Sequence, residues 1–230
     1  MALELKALAR IRKVLDAVDA TGIGEKEDQL TLTQQYELLQ AAGATPYQEI
    51  VRVGRAFYTG TTAALAAVVA IPTTAVLLAL YNNEPDGGKS LIIDWVAASG
   101  VAKTAAAGQQ QMLGLLGQVR EAAPVDSGII VKKANGLGNA TNKVDTKALT
   151  ILNATALPAT TGIAGNWFPI GPAFGSPGAA ATPGNGTWQG VDGRFIVAPG
   201  RYFAIHVLAD VVGSTYQGFI GWHEKQLTLA

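Results

Sequence analysis

Apolar and polar positions follow two different periods along this chain. Residues 4–20 lack Gly and Pro and place Leu8, Ile11, Leu15 and Val18 at 3-4-3 spacing, which predicts a helix with a narrow apolar stripe. Thr21-Gly22-Ile23-Gly24 stops it. A second helix is predicted over 33–42, ended by Gly43 and followed by Pro46. From Tyr47 onward the apolar residues come in short runs separated by turn formers, which is the pattern of strands. Runs at 50–58, 63–71, 75–81 and 90–97 have strand length, and a dense turn cluster, Asn82-Asn83-Glu84-Pro85-Asp86-Gly87-Gly88, separates the last two. Residues 102–111 are small and polar and read as a loop. Residues 111–119 fit strand or helix, with Gly114 and Gly117 favouring strand.

Further strands are predicted over 127–133 and 146–156, joined by a loop at 134–142. The segment 167–188 is rich in Gly, Pro and Ala and reads as an irregular surface loop. The final third has the clearest pattern. Two apolar runs, 195–197 and 202–210, turn over Pro199-Gly200, and 215–222 returns as one more strand. Roughly eight to ten strands between 50 and 226 suit one two-sheet antiparallel sandwich. The expected organisation is therefore a helical N-terminal arm over 1–48 and a β-sandwich domain over 49–230. The arm reads equally well as packing on a neighbour or as a cap on its own sandwich.

The runs at 63–71 and 75–80 are apolar at successive positions rather than alternating. In an antiparallel sheet this requires cover on both faces, and a neighbouring subunit is the economical cover. Residues 63–80 are also long enough to span a bilayer as a helix, with Arg52 and Arg55 before them and Glu84 and Asp86 after. Pro72-Thr73-Thr74 splits the stretch into two pieces of strand length, so two buried strands are expected and no membrane partner. Met1-Ala2-Leu3-Glu4-Leu5-Lys6 lacks the apolar core of a signal peptide.

Composition sharpens this picture only in places. Charged residues make up 15% of the 230, too few to cover a monomer's surface easily, which points again to contacts between subunits. Formal net charge is zero, so bulk electrostatics argues against a nucleic-acid partner. The chain has no cysteine, which excludes disulfides and thiolate metal sites. Lys6, Arg10, Arg12 and Lys13 flank the first helical stripe, but Glu4, Asp16 and Asp19 are interspersed, as on a solvated helix face.

No motif names a reaction. Gly88-Lys89-Ser90 lacks the earlier glycine of a phosphate-binding loop and leads into a strand, not a helix. Gly136-Leu137-Gly138 lacks the third glycine of a dinucleotide fingerprint. Asn139, Asn153 and Asn185 open Asn-x-Ser/Thr triplets, which accept glycans only in a secretory pathway. His206 and His223 are the two histidines and would need strand pairing to share a metal with a carboxylate. Asp94, Asp192, Asp210 and Glu224 are scattered over predicted strand ends and turns, without the recessed pairing of acid–base catalysis. Gly175-Ser176-Pro177-Gly178 is not a nucleophile elbow. Neither a cofactor nor a catalytic or metal site is expected.

The stretch 75–95, an apolar strand followed by Asn82-Asn83 and then Gly88-Lys89-Ser90-Leu91-Ile92-Ile93, resembles jelly-roll modules of phage and other viral structural proteins. The ending, 196–207 with Gly218-Phe219-Ile220-Gly221-Trp222-His223-Glu224, is similar to the last strands of the same modules and also resembles tumour-necrosis-factor-like trimers. The resemblance covers roughly a fifth of the chain and carries no catalytic residues. It implies a mainly β, jelly-roll-like sandwich that associates with copies of itself, a trimer above all, and with other virion proteins. The implied role is non-enzymatic: a capsid, decoration or fibre subunit, made in the host cytoplasm and located in the virion. The partner contacts expected are Leu8, Ile11, Leu15 and Val18 on the arm, and Trp167, Phe168, Phe174 and Trp188 on the long loop. The alternative is a lectin-like or receptor-binding module that uses those loop aromatics. An enzyme on the same scaffold would require a His/carboxylate metal site.

Overall fold

The computed structural model describes residues 46–102, 108–140, 145–152, 157–158, 164–176, 186–210 and 213–227. The two helices and the stripe Leu8, Ile11, Leu15 and Val18 expected before Pro46 lie outside these residues. The chain divides into one unit at Met1–Val53 and another at Gly54–Ala230. In the first, Pro46–Arg52 forms helix α1. Proline suits the first helical position because its missing N–H would have no intrahelical partner there. Gly54, with φ 74°, follows the end of the helix in the left-handed conformation that glycine adopts without strain. The strand expected over 50–58 is therefore helix up to Arg52, and strand β1 begins only at Ala56.

The second unit is a sandwich of two six-stranded antiparallel sheets. Its strands in chain order are β1 (Ala56–Gly60), β2 (Leu65–Ala66), β3 (Leu78–Asn82), β4 (Lys89–Ala102), β5 (Gly108–Leu116), β6 (Lys132–Lys133), β7 (Ala148–Leu152), β8 (Trp167–Pro169), β9 (Phe174–Ser176), β10 (Gly186–Val197), β11 (Tyr202–Ala209) and β12 (Thr215–Gln226). Sheet 1 has the order β10-β4-β12-β1-β6, with β2 also on β12. Sheet 2 has the order β7-β3-β11-β5-β8, with β9 also on β5. Early strands pair with late ones throughout: β1 with β12, β3 with β11, β4 with β10, and β5 with β8.

Alternation puts one side chain in two between the sheets. Leu78 and Leu80 of β3, Leu91, Ile93 and Val96 of β4, Phe203, Ile205 and Val207 of β11, and Tyr216, Ile220 and Trp222 of β12 join one buried core. Phe57 of β1 sits 5.9 Å from Trp222, ring centroid to centroid. Sheet 2 has a second buried cluster made of the alternate residues, including Ala79, Tyr81, Leu113, Leu115, Ile151, Tyr202 and Ala204. Leu157 and Trp167 belong to it, and the Tyr81 hydroxyl donates to Glu121 O at 2.8 Å. The chain itself thus covers both faces of β3. The doubly apolar pattern at 75–80, from which a covering neighbour was expected, is accounted for within a single subunit.

Other expectations change as well, including the loop expected at 102–111, of which Ala102 ends β4 and 108–111 open β5. Residues 63–71 are not a continuous strand: Leu65–Ala66 pairs with β12 in sheet 1, and Val68 then bridges to Leu208 in sheet 2. A segment crossing between sheets meets no regular pleat, and Val69 and Ile71 are exposed. Of 127–133 only Lys132–Lys133 is strand, although Ile129 and Val131 still alternate into the core. The segment 167–188 is not wholly irregular, since β8, β9 and the start of β10 lie in it. Pairings three residues long are too short to leave a period in the sequence. Among the described residues no helix is long and apolar enough to cross a membrane.

The turn after β3 is tied to the core by Asn82, which is fully buried. Its Nδ2 donates to Lys89 O and Val197 O, both at 2.9 Å, and its Oδ1 accepts from Glu84 N at 3.1 Å. One amide therefore fastens β3, β4 and β10 together. Asn82→Ala leaves those main-chain groups without their side-chain partner and is expected to cost about 2–3 kcal/mol. The shift of the urea unfolding midpoint measures it. An unchanged midpoint would exclude this linking role.

Candidate contact surface

Two rows of residues run across the outer face of sheet 1, from β10 through β4 and β12 to β1. One is Trp188, Ala97, Phe219, Gly60; the next is Gly190, Trp95, Gly221, Tyr58. Large rings alternate with small residues both along and across the strands. A Cβ on Gly60 would come within 2.2 Å of the Phe219 ring, and one on Gly221 within 2.2 Å of the Trp95 ring. Each ring therefore lies down over a neighbouring glycine instead of standing out from the sheet. Tyr58 and Trp95 also touch, with centroids 6.5 Å apart. Trp188 ends its row on the outermost strand and is 64% exposed.

Beside these rows the sheet is irregular. Trp95 faces Gly221 while Ile93 faces Trp222, so Asp94 is an extra residue bulged between them. Across β10 the same shift places residues 191–194 opposite Asp94, and Asp192 there takes φ 47°. Asp94 Oδ1 lies 2.8 Å from His223 Nδ1, and both side chains are largely buried. The contact pins the bulge between β4 and β12. A carboxylate that orients an imidazole is also part of many general-base arrangements. On the strands beside it His223 is paired with Ile92 and Ala56.

The structure separates most of the residues expected to act together. Trp167 is buried in the second cluster of sheet 2. Phe168 packs on Phe195 at 5.1 Å, and Phe174 meets Tyr216 edge-on at 6.1 Å. Of the four aromatics assigned to a projecting loop, three fold against the sandwich, and Trp188 alone among them stands exposed. His206 lies in sheet 2 and His223 in sheet 1, so the two histidines are not brought together. Among the described residues no group of three or more His, Asp or Glu could hold a metal ion. Sequence reasoning missed the aromatic rows and the Asp94–His223 contact. Spacing gives no sign of them because each joins strands far apart in the sequence; the glycines at 60, 190 and 221 were the one available hint.

Two ionisable groups are buried away from this surface. Glu224 accepts from the Thr146 hydroxyl and from Lys89 Nζ, the latter at 3.3 Å. Burial pushes its carboxyl up from the usual range, while Thr146 and Lys89 pull it back. His206 is 2% exposed, and burial lowers its pKa to about 4; Val207 N donates to its Nδ1 at 2.8 Å.

Two predictions follow from these contacts. Gly221→Ala forces the Trp95 ring off its seat, and the expected loss is about 1–3 kcal/mol. Tryptophan fluorescence should shift to the red, and unchanged stability and spectrum would remove the ring from that seat. For His206 the folded pKa is depressed below the unfolded value of about 6.5, so the unfolded chain takes up a proton first as pH falls. Stability is then full above pH 6.5 and declines by about 3 kcal/mol as pH falls toward 4. His206→Gln should flatten unfolding midpoints between pH 7 and 4.5, whereas an equally steep decline would assign the acid sensitivity elsewhere.

Comparison with known proteins gives no matching family model, no matching curated protein and no matching solved structure. The functional reading rests on the geometry of this chain.

Proposed function

We propose that this chain is a non-enzymatic virion structural protein: a self-assembling jelly-roll subunit of a capsid, a capsid decoration, or a tail or head fibre. The observation that carries the reading is the nested strand pairing. In a jelly roll a long antiparallel hairpin of eight strands folds over on itself, so the first strand lies beside the last and each inner pair repeats the relation. The pairs β1·β12, β3·β11, β4·β10 and β5·β8 stand in this relation. The joins β4·β12 in one sheet and β5·β11 in the other complete the two layers. Strands β6 and β7 extend the edges.

A fold by itself does not specify a function. Two features favour assembly over ligand capture. The charged fraction is low, at 15%. The alternative, a lectin-like or receptor-binding module, needs projecting loop aromatics, and Trp167, Phe168 and Phe174 are packed against the sandwich instead. The test is the solution mass of the full chain by light scattering over a wide concentration range. A closed homo-oligomer is expected, with a trimer as the family-like outcome. A monomer at every concentration would overturn self-assembly.

A further inference from the structure

The edges of the two sheets are protected unequally. A sheet edge exposes unpaired N–H and C=O groups, and natural sandwiches blunt it with short strands, lysines, bulges or covering segments. Edge strand β6 is two residues long and both are lysine. Edge strands β8 and β9 are three residues each. On β7 the outward N–H and C=O of Thr150 are already taken, by Asp126 Oδ1 at 3.1 Å and Ser127 N at 2.8 Å. Strand β10 runs for 12 residues and pairs on one side with β4. Its second half is blunted by the charges of Asp192 and Arg194 and by the left-handed pair Asp192 and Gly193. Its first half, Gly186-Thr187-Trp188-Gln189-Gly190, has no charge, no proline and no bulge, and it holds the exposed Trp188. Among the described residues it is the one edge left without any of these devices.

We propose that this half-strand is a two-fold interface at which a second copy of the chain adds its own β10, antiparallel, to extend sheet 1. The occupant follows from the five residues, which read almost alike in both directions about Trp188. Antiparallel pairing centred there sets Gly186 against Gly190 of the partner subunit and Thr187 against the partner's Gln189. Trp188 then meets the partner subunit's Trp188. Polar faces polar, glycine faces glycine, and the exposed ring gains an aromatic cross-strand partner, one of the more favourable pairs in an antiparallel ladder. An isologous contact requires a surface that is its own complement, and this edge meets that requirement. The charges at Asp192 and Arg194 stop the added ladder after Gly190.

The inference rests on the self-associating reading above and specifies one of its contacts. A two-fold contact joins subunits in pairs, so it yields an even-numbered particle, either a dimer or two trimers back to back. The experiment is light scattering on the full chain, on Trp188→Glu, on Trp188→Lys, and on an equimolar mixture of the two variants. Like charges facing one another across the two-fold axis should halve the mass of each single variant, and the mixture should restore it. Circular dichroism of each variant reports whether the sandwich itself is retained, and the rescue by mixing cannot arise from misfolding. An oligomer whose mass neither substitution changes, or an odd-numbered wild-type particle, would overturn the edge interface and leave self-association standing. A monomeric wild type would overturn both.

Discussion

Strand β12 is the element on which the sandwich depends. It hydrogen-bonds to β4 along its whole length, from Thr215 to Gln226, and to β1 on its other side. Its inward residues Tyr216, Ile220 and Trp222 fill the middle of the core. The last strand of the chain is thus a central strand of sheet 1, and that sheet cannot be completed until it arrives. Every principal pairing joins distant parts of the chain, so the entropy of closing long loops precedes the gain from pairing. What compensates is apolar burial on an unusual scale for one sheet: sheet 2 is buried on both faces, by the common core on one side and by the second cluster on the other.

Two of the buried polar side chains, Asn82 and Glu224, are held by specific partners. Asn82 satisfies three main-chain groups at the turn where β3, β4 and β10 meet. Glu224 keeps a hydroxyl and an ammonium beside its carboxylate. Burial keeps His206 neutral. The first two join strands far apart in sequence, and the cost of their desolvation makes any other alignment of those strands worse.

The outer face of sheet 1 follows a different rule from that of sheet 2. Among the described residues no second core covers it; aromatic rings lie across glycines of adjacent strands, so that Trp95 and Phe219 shield main chain which glycine would leave bare. The pavement ends at β10, where Trp188 remains exposed beside an unblunted edge. The nested pairing holds the subunit together, and the proposed association is placed apart from it, on the outermost strand of sheet 1.

The amino-acid sequence alone determined the β character of the chain from Ala56 onward, the turn between β3 and β4, and the turn at Pro199-Gly200, which the structure uses to pass from β10 in sheet 1 to β11 in sheet 2. These are local facts: the apolar run at 202–209 and the turn residues at 82–88 act within a few residues, so they can be read in order. The two-sided burial of β3 was also visible as an unbroken apolar run. What covers its second face was not, because Leu157, Trp167 and the segment through Glu121 reach it only by long-range folding. The same reason separates Trp167, which is buried, from Trp188, which is exposed, although both stand in similar Gly- and Pro-rich surroundings. It also joins Asp94 to His223 across 129 positions of chain. Periodicity states that a residue faces inward or outward; only strand pairing, which the tertiary structure sets, decides what it meets there.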